Sequence, residues 1–467
     1  MVAHAVNHRI FREYDIRGVA DRDLDDELVT DLGRAVAARV VEAAHTGFSR
    51  RPVVAVGRDC RLHSPRLFAA LVDGLTERTD VLDLGMVPTP MVYFASATLP
   101  VDGAVMITGS HNPAEDNGFK LLVGGATLYG PAIAELRTWI EEARCERHTI
   151  TGRGRGAVTA HELLPAYLAH NELSLRLGPR RPRVVVDAGN GAGGPAALAV
   201  YRRLGFEPIA LHCEPDGRFP NHHPDPTLPE NLADLRAAVA AHGAEVGLAL
   251  DGDADRLGAI DGTGRILWGD QLMILLGKAV LEEVPGARFV GEVKCSQAMY
   301  DELARAGGRP EMWKVGHSLI KARMKETGAA LAGEMSGHLF FAHRWLGFDD
   351  AIHAGARLLE LLSRGPRSLA EHAAELPTMV NTPELRVDCA DDRKFAVVAR
   401  VTAALRARPD VTGVVDVDGV RARFAHGWGL VRASNTQAAL VVRCEADDAA
   451  ALAAIRAIIE HEIAEAS

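Results

Sequence analysis

One pattern is written three times along the chain, and it restricts the fold more than any other feature. RPVVAVG (51–57) is a short valine-rich run, SPRLFAALVDGLTER (64–78) has helical periodicity with Ser64 as its expected cap and Pro65 at its first position, and TDVLDLG is a second strand. The unit recurs from PRVVVDAGNGAGG at residue 182, with a helix around 194–204 and the strands EPIALHC and EVGLALD. A third copy begins near 287 with ARFVGEVKCS, followed by a helix, the strand PEMWKVG, a helix from Ser318 and the strand AALAGE. Strands alternating with helices build layered sheets, so three repeats predict an α/β fold of three similar mixed α/β domains. After a helix at 350–363 and the link ELPTMVNTPEL, the order changes to helix, strand, loop, strand, helix, which predicts a smaller C-terminal α+β domain. The expected boundaries are 1–156, 157–263, 264–374 and 375–467, with GRGRG (152–156) as the first linker. At about 150 residues per domain, 467 residues fit three or four.

Charge narrows the partners. Lys+Arg 52 against Asp+Glu 62 gives a net charge of −10 with no long basic run, which argues against nucleic acid. MVAHAVNHRI lacks the charged start and apolar core of a secretory signal, and no apolar run is long enough for a membrane span, so a cytoplasmic protein is expected. The 6 cysteines stand singly, which fits reduced thiols rather than a disulfide frame or a zinc site.

The chemistry lies in the loops. TGSHNPAEDNGFK (108–120) follows the apolar run VDGAVMI, so Ser110 sits at the carboxyl end of a buried strand, where open α/β sheets bind ligands. Taken alone, the stretch fits an ordinary turn better than a site. DGDADR (251–256) follows EVGLAL, and alternate residues there aim Asp251, Asp253 and Asp255 at one point. Three carboxylates together repel unless a hard cation such as Mg²⁺ joins them; an EF-hand is excluded by the misplaced Gly252 and the missing acid at the twelfth position. Arg256 beside that metal suits a phosphate, and a phosphorylated Ser110 would fit the same socket. GEMSGH (333–338) offers Glu334 and Ser336 to a polar ligand, and RASNTQ (432–437) offers Arg432 with Ser434, Asn435 and Thr436 as a phosphate nest; each also fits a polar surface turn.

FREYDIRG (11–18), TGSHNP (108–113), DGDADR (251–256), GEMSGH (333–338) and RASNT (432–436) resemble, in this order, the signature loops of the α-D-phosphohexomutases, from about residue 9 to the end. The resemblance implies four domains around a central cleft and a phosphosugar mutase that interconverts hexose 1-phosphate and hexose 6-phosphate through a hexose 1,6-bisphosphate. It makes Ser110 the phosphoserine, its phosphate joining Asp251, Asp253 and Asp255 around one Mg²⁺ per chain. It further assigns Arg17, His111, Lys120, Arg256 and His317 to catalysis, with Lys120 and His317 both open as the proton acceptor. Tyr14, Lys294, Glu334, Ser336, His338, Arg432, Ser434, Asn435 and Thr436 would bind substrate, with hexose 1,6-bisphosphate as activator. Met335 resembles the phosphomannomutase/phosphoglucomutase branch, with mannose or glucose phosphates as substrates; phosphoglucosamine mutase, where glutamine is commoner there, is the alternative. Ala351 and His353 depart from the family's usual glycine and tyrosine. A metal-dependent phosphatase would share the aspartates but need no second phosphate nest, and a non-catalytic sensor would not need Ser110. The expected assembly is a monomer or homodimer.

Overall fold

The computed structural model describes residues 6–44, 50–146, 154–435 and 437–467; Gly152 and Arg153 of the expected linker, and Thr436, lie outside them. The chain divides into two compact units, residues 1–269 with 336–373 and residues 270–335 with 374–467. No helix among the described residues is long and apolar enough to cross a membrane.

In the first unit, Val53–Arg58 and Gly103–Ile107 lie side by side and parallel at the centre of a mixed sheet, covered on both faces, which is why their sequences read as nearly unbroken apolar runs. Asp116–Val123 returns antiparallel to Gly103–Ile107, with Ile107 opposite Phe119 and Met106 opposite Lys120. Ile16–Val19 adds to the outer side of that strand, with Arg17 opposite Gly118. This register carries Arg17 and Lys120 to the sheet edge from which the Ser110 loop emerges. The second sheet repeats the device: Val246–Leu250 is parallel to Val184–Asp187 and antiparallel to Leu257–Asp261, with Leu250 opposite Leu257, so residues 251–256 form the intervening hairpin.

The second unit contains the parallel strands Arg288–Glu292, Arg309–Trp313 and Leu331–Gly333 with the helices Gln297–Arg305 and His317–Thr327. Its C-terminal sheet is antiparallel, ordered Val380–Asn381, Ala439–Ala446, Gly427–Ala433, Val420–Phe424, Gly413–Val415, with Leu385–Asp388 also on Ala439–Ala446. This is an α+β arrangement with more strands than the sequence predicts. Val380–Asn381 and Leu385–Asp388 are mostly exposed, so they carry no apolar alternation to read.

The helix expected at 64–78 is Ser64–Leu75, and Ser64 is not its cap. His63 holds that position, and the Ser64 hydroxyl instead donates to Asp59 Oδ1 at 2.6 Å.

This helix crosses Asp26–Ala43 at a pair of glycines. A Cβ on Gly74 would lie 2.0 Å from Thr30 O, and one on Gly33 2.3 Å from Leu71 O, so neither position has room for a methyl group. Overpacking a close contact costs about 1–3 kcal/mol, so Gly74→Ala should lower the urea midpoint by that equivalent without loss of helical content. An unchanged midpoint would mean the helices separate freely.

Candidate active site

Ser110 is nearly fully buried and holds a left-handed backbone, φ 48°, which a serine tolerates only when its surroundings enforce it. Its N–H donates to Thr108 Oγ1 at 2.8 Å, and its hydroxyl donates to Asp251 Oδ2 at 2.8 Å. His111 Nδ1 stands 3.2 Å from the same hydroxyl oxygen. Two hairpins thus meet tip to tip. Gly252 makes this approach possible, since a Cβ there would lie 2.4 Å from Ser110 O.

Asp251, Asp253 and Asp255 are all buried, and each offers a carboxylate oxygen within 4.8 Å of the others. Asp251 Oδ1 accepts the N–H groups of Asp255 and Arg256 at 3.0 and 3.1 Å, which fixes the turn. Asp253 Oδ2 accepts from Thr89 Oγ1 at 2.5 Å and from Lys120 Nζ at 2.6 Å, and Lys120 also pairs with Asp255. Asp253 Oδ1, by contrast, is buried with no hydrogen-bond partner. Three hard oxygen donors, one of them unsatisfied, fit a divalent metal ion.

Electrostatics agree. Burial, then Asp255 and Asp253, push the Asp251 carboxyl well above its ordinary range. Burial has the same tendency at Asp255, but Lys120 and His338 outweigh it and hold that carboxyl well below. Burial disfavours the Lys120 ammonium, yet Asp253, Asp255 and Asp349 overcome this and keep it protonated. Burial, then Arg256 and Arg17, depress His111, which is neutral at pH 7.

An isolated antiparallel bridge between Arg256 and His338 brings the GEMSGH loop's histidine alongside the acidic hairpin. His338 Nε2 lies 3.1 Å from Asp255 Oδ1, and Arg256 Nε 3.3 Å from His338 Nε2. Arg17 donates to Asn112 Oδ1 at 2.7 Å and pairs with Asp15 at 2.7 Å, so it borders the Ser110 loop. Tyr14 and Ser336 belong to the same unit and are half-buried. The first unit therefore gathers Ser110, His111, Arg17, Lys120, Arg256, His338 and the three aspartates.

The second unit gathers another group. Glu334 Oε1 accepts the Gly316 N–H at 2.8 Å, immediately before His317, the buried first residue of its helix. Lys294 Nζ is 3.2 Å from Glu384 Oε2; burial opposes its charge, but Glu292, Glu384 and Glu334 raise its pKa. Arg432 Nε donates to Asp418 Oδ2 at 3.0 Å, while Arg432 Nη2 is buried without a hydrogen-bond partner. That donor suits an anion. The expected nest of free N–H groups needs one correction: the Ser434 N–H donates to Ala439 O at 2.9 Å, because the hairpin ladder extends that far. Lys394 Nζ braces the same loop, donating to Ser434 O at 2.7 Å and Gln437 O at 3.2 Å.

Sequence reasoning missed Thr89, Asp349 and Lys394, and also Asp59 and Arg61, which underlie the Ser110 loop. A usable signal existed for the last two. RDCR (58–61) directly follows RPVVAVG, at the same carboxyl edge as TGSHNP.

Four phosphoglucomutase/phosphomannomutase family models match in order: alpha/beta/alpha domain I over residues 8–146, domain II over 166–264, domain III over 268–380 and the C-terminal domain over 384–462. A phosphomannomutase/phosphoglucomutase of Pseudomonas aeruginosa is 44% identical over 455 residues, 97% of this chain and 95% of that one. A phosphoglucomutase of Neisseria gonorrhoeae is 44% identical over 462 residues, 98% of each. The crystal structure of a phosphoglucomutase/phosphomannomutase family protein from Burkholderia thailandensis superposes with a TM-score of 0.90 at 41% identity, covering 99% of this chain and 98% of that one. With all four family domains present in register and relatives matched over nearly their full length, the chain belongs to the phosphoglucomutase/phosphomannomutase family of α-D-phosphohexomutases and is an isomerase, a hexose-phosphate mutase.

Proposed function

We propose that the chain interconverts the 1- and 6-phosphates of mannose and glucose through a phosphoserine at Ser110 and a hexose 1,6-bisphosphate, with Mg²⁺ as its metal. The observation that carries this reading is the Ser110 hydroxyl, 2.8 Å from Asp251 at the edge of three convergent carboxylates. The relatives' names favour mannose and glucose phosphates over the phosphoglucosamine alternative. We further propose the four domains 1–156, 157–263, 264–374 and 375–467, one functional loop in each.

In the proposed cycle the sugar hydroxyl forms a new P–O bond to the phosphoryl group as the Ser110 Oγ–P bond breaks, and the hydroxyl proton leaves to a base. Ser110 Oγ, once free, takes up a proton and donates to Asp251, the arrangement described above. The bisphosphate then turns over, and its other phosphoryl group returns to Ser110. Bound Mg²⁺ would supply charge neutralisation at the phosphoryl oxygens, held by Asp251, Asp253, Asp255 and the phosphoserine. Lys120, kept as an ammonium by its two aspartates, stabilises negative charge rather than accepting the proton in the resting enzyme. Arg17, His111 and Arg256 border the transfer and orient it. Glu334, Ser336 and His338 bind sugar hydroxyls, His317 is the candidate acceptor of the hydroxyl proton, and Tyr14, Lys294, Arg432, Ser434, Asn435 and Thr436 hold the sugar and its non-reacting phosphate, with Arg432 Nη2 as one donor for that phosphate.

Intact-mass measurement after incubation with glucose 1,6-bisphosphate should find one phosphate on the parent protein and none on Ser110→Ala, which should also lack turnover of mannose 1-phosphate and glucose 1-phosphate. A fully active Ser110→Ala protein would end the reading. EDTA should abolish turnover and leave the melting temperature nearly unchanged, with Mg²⁺ restoring activity, since Lys120 already balances part of the carboxylate charge. Unfolding on chelation would assign the metal a structural role instead. A charge-assisted contact contributes about 1.5–3 kcal/mol, so Arg432→Ala should lower kcat/KM roughly ten- to a hundredfold, alike for 1-phosphates and 6-phosphates. A loss confined to one isomer would give Arg432 a different task.

A further inference from the structure

A buried arginine beside phosphate chemistry is ordinarily read as a ligand for the phosphate. Arg61 does not fit that role. Its side chain is fully buried, and its guanidinium is committed to the protein's own backbone. Nη2 donates to Ser110 O at 2.8 Å and to Asn112 O at 2.6 Å. Nη1 donates to Asp116 O at 2.9 Å and to Pro113 O, and Nε lies 3.2 Å from Asp59 Oδ2. The two terminal nitrogens thus spend their four N–H groups on four carbonyls of one loop, the loop that carries Ser110.

Asp59 closes the arrangement from the other side. Its Oδ2 accepts the Gly109 N–H at 3.1 Å, and its Oδ1 accepts the Arg61 N–H at 3.0 Å and the Ser64 hydroxyl at 2.6 Å. The residue before Ser110 is therefore held by Asp59, while Ser110 and the residues after it are held by Arg61. Gly109 lies flat against the guanidinium, since a Cβ there would be 2.4 Å from Arg61 Cζ. The Arg61 guanidinium also lies over the Phe219 ring, 5.0 Å to the centroid.

We propose that Arg61, anchored by Asp59, is a positioning residue for phosphoryl transfer: it clamps the carbonyls of residues 110, 112, 113 and 116 and so holds Ser110 in the left-handed backbone that aims its Oγ at the carboxylate cluster. The inference rests on the reading of Ser110 as phosphoryl carrier. It assigns Arg61 no contact with substrate, so substrate affinity should be independent of it while the transfer step is not.

Arg61→Lys tests this, because lysine keeps the charge but offers three donors on one nitrogen and cannot span four carbonyls. Parent and variant are loaded with glucose 1,6-bisphosphate and Mg²⁺, phosphate on Ser110 is counted by mass, and steady-state and single-turnover rates with glucose 1-phosphate are measured. Misplacement by about 1 Å costs on the order of a hundredfold, so kcat and the single-turnover rate should fall about a hundredfold with KM within about twofold, and excess bisphosphate should not restore them. A folded Arg61→Lys protein with parental kcat, or one whose loss lies in KM, would overturn the proposal. Asp59→Asn, which weakens the anchor and leaves Arg61 in place, should show a smaller loss of the same kind; if Arg61→Lys does not fold, this variant decides, and parental kcat in it overturns the proposal. The two readings fail differently. A parent protein that never carries phosphate on Ser110 removes the phosphoserine and this inference together, whereas a phosphorylated parent beside a fully active Arg61→Lys removes only the inference.

Discussion

The hydrogen bond from Ser110 to Asp251 spans 141 residues of sequence and joins the tips of hairpins from two different sheets. Everything else in the first unit's site is arranged around that meeting. It requires Gly252, because any side chain there would strike the Ser110 carbonyl, and a left-handed backbone at Ser110 itself. Neither loop is free to change alone. Such mutual dependence is characteristic of a site whose geometry is over-determined by its surroundings, and it lets a strained residue persist.

The fold reaches this by repeating one construction. Ser110 lies between Gly103–Ile107 and its antiparallel neighbour, Asp251 to Arg256 between Val246–Leu250 and its neighbour, and Ser434 between Gly427–Ala433 and Ala439–Ala446. In each case a hairpin carries polar residues whose register is set by the apolar strands on either side. A one-residue slip would send those side chains to the opposite face, so buried strands such as Gly103–Ile107 and Val246–Leu250 fix the chemistry as firmly as the polar residues do.

That construction explains what could be read from sequence. Asp251, Asp253 and Asp255 lie in six consecutive residues after an apolar strand, and their convergence follows from local geometry alone. Ser110 was legible for the same reason. Thr89 was not, because its relation to the site comes from helix placement rather than from neighbours in the chain, and Arg61 was overlooked although it follows a buried strand at the same carboxyl edge as the Ser110 loop. Lys120 was legible as a cation but its role was not: only the register with Met106 shows it bridging Asp253 and Asp255, and that pairing favours an ammonium over a proton acceptor. The Ser64 cap failed because Asp59 competes for the hydroxyl, and the extra C-terminal strands were hidden because edge strands need no apolar face.

The division of the chain into two units has a consequence for synthesis. Residues 336–373 belong with residues 1–269, yet the ribosome makes them only after the intervening segment 270–335. The helix Ala351–Arg364 is part of that late segment, and it covers Tyr201, whose hydroxyl donates to Ile352 O at 3.2 Å, and Tyr167, which donates to Asp350 at 2.9 Å. A growing chain that has emerged only as far as residue 269 therefore holds the Ser110 loop and the acidic hairpin but lacks the helix that buries these tyrosines and the histidine that contacts Asp255. Domains made first ordinarily fold first. Here the first unit waits for its own last forty residues or so, and a translating ribosome must carry an unfinished apolar surface until they arrive.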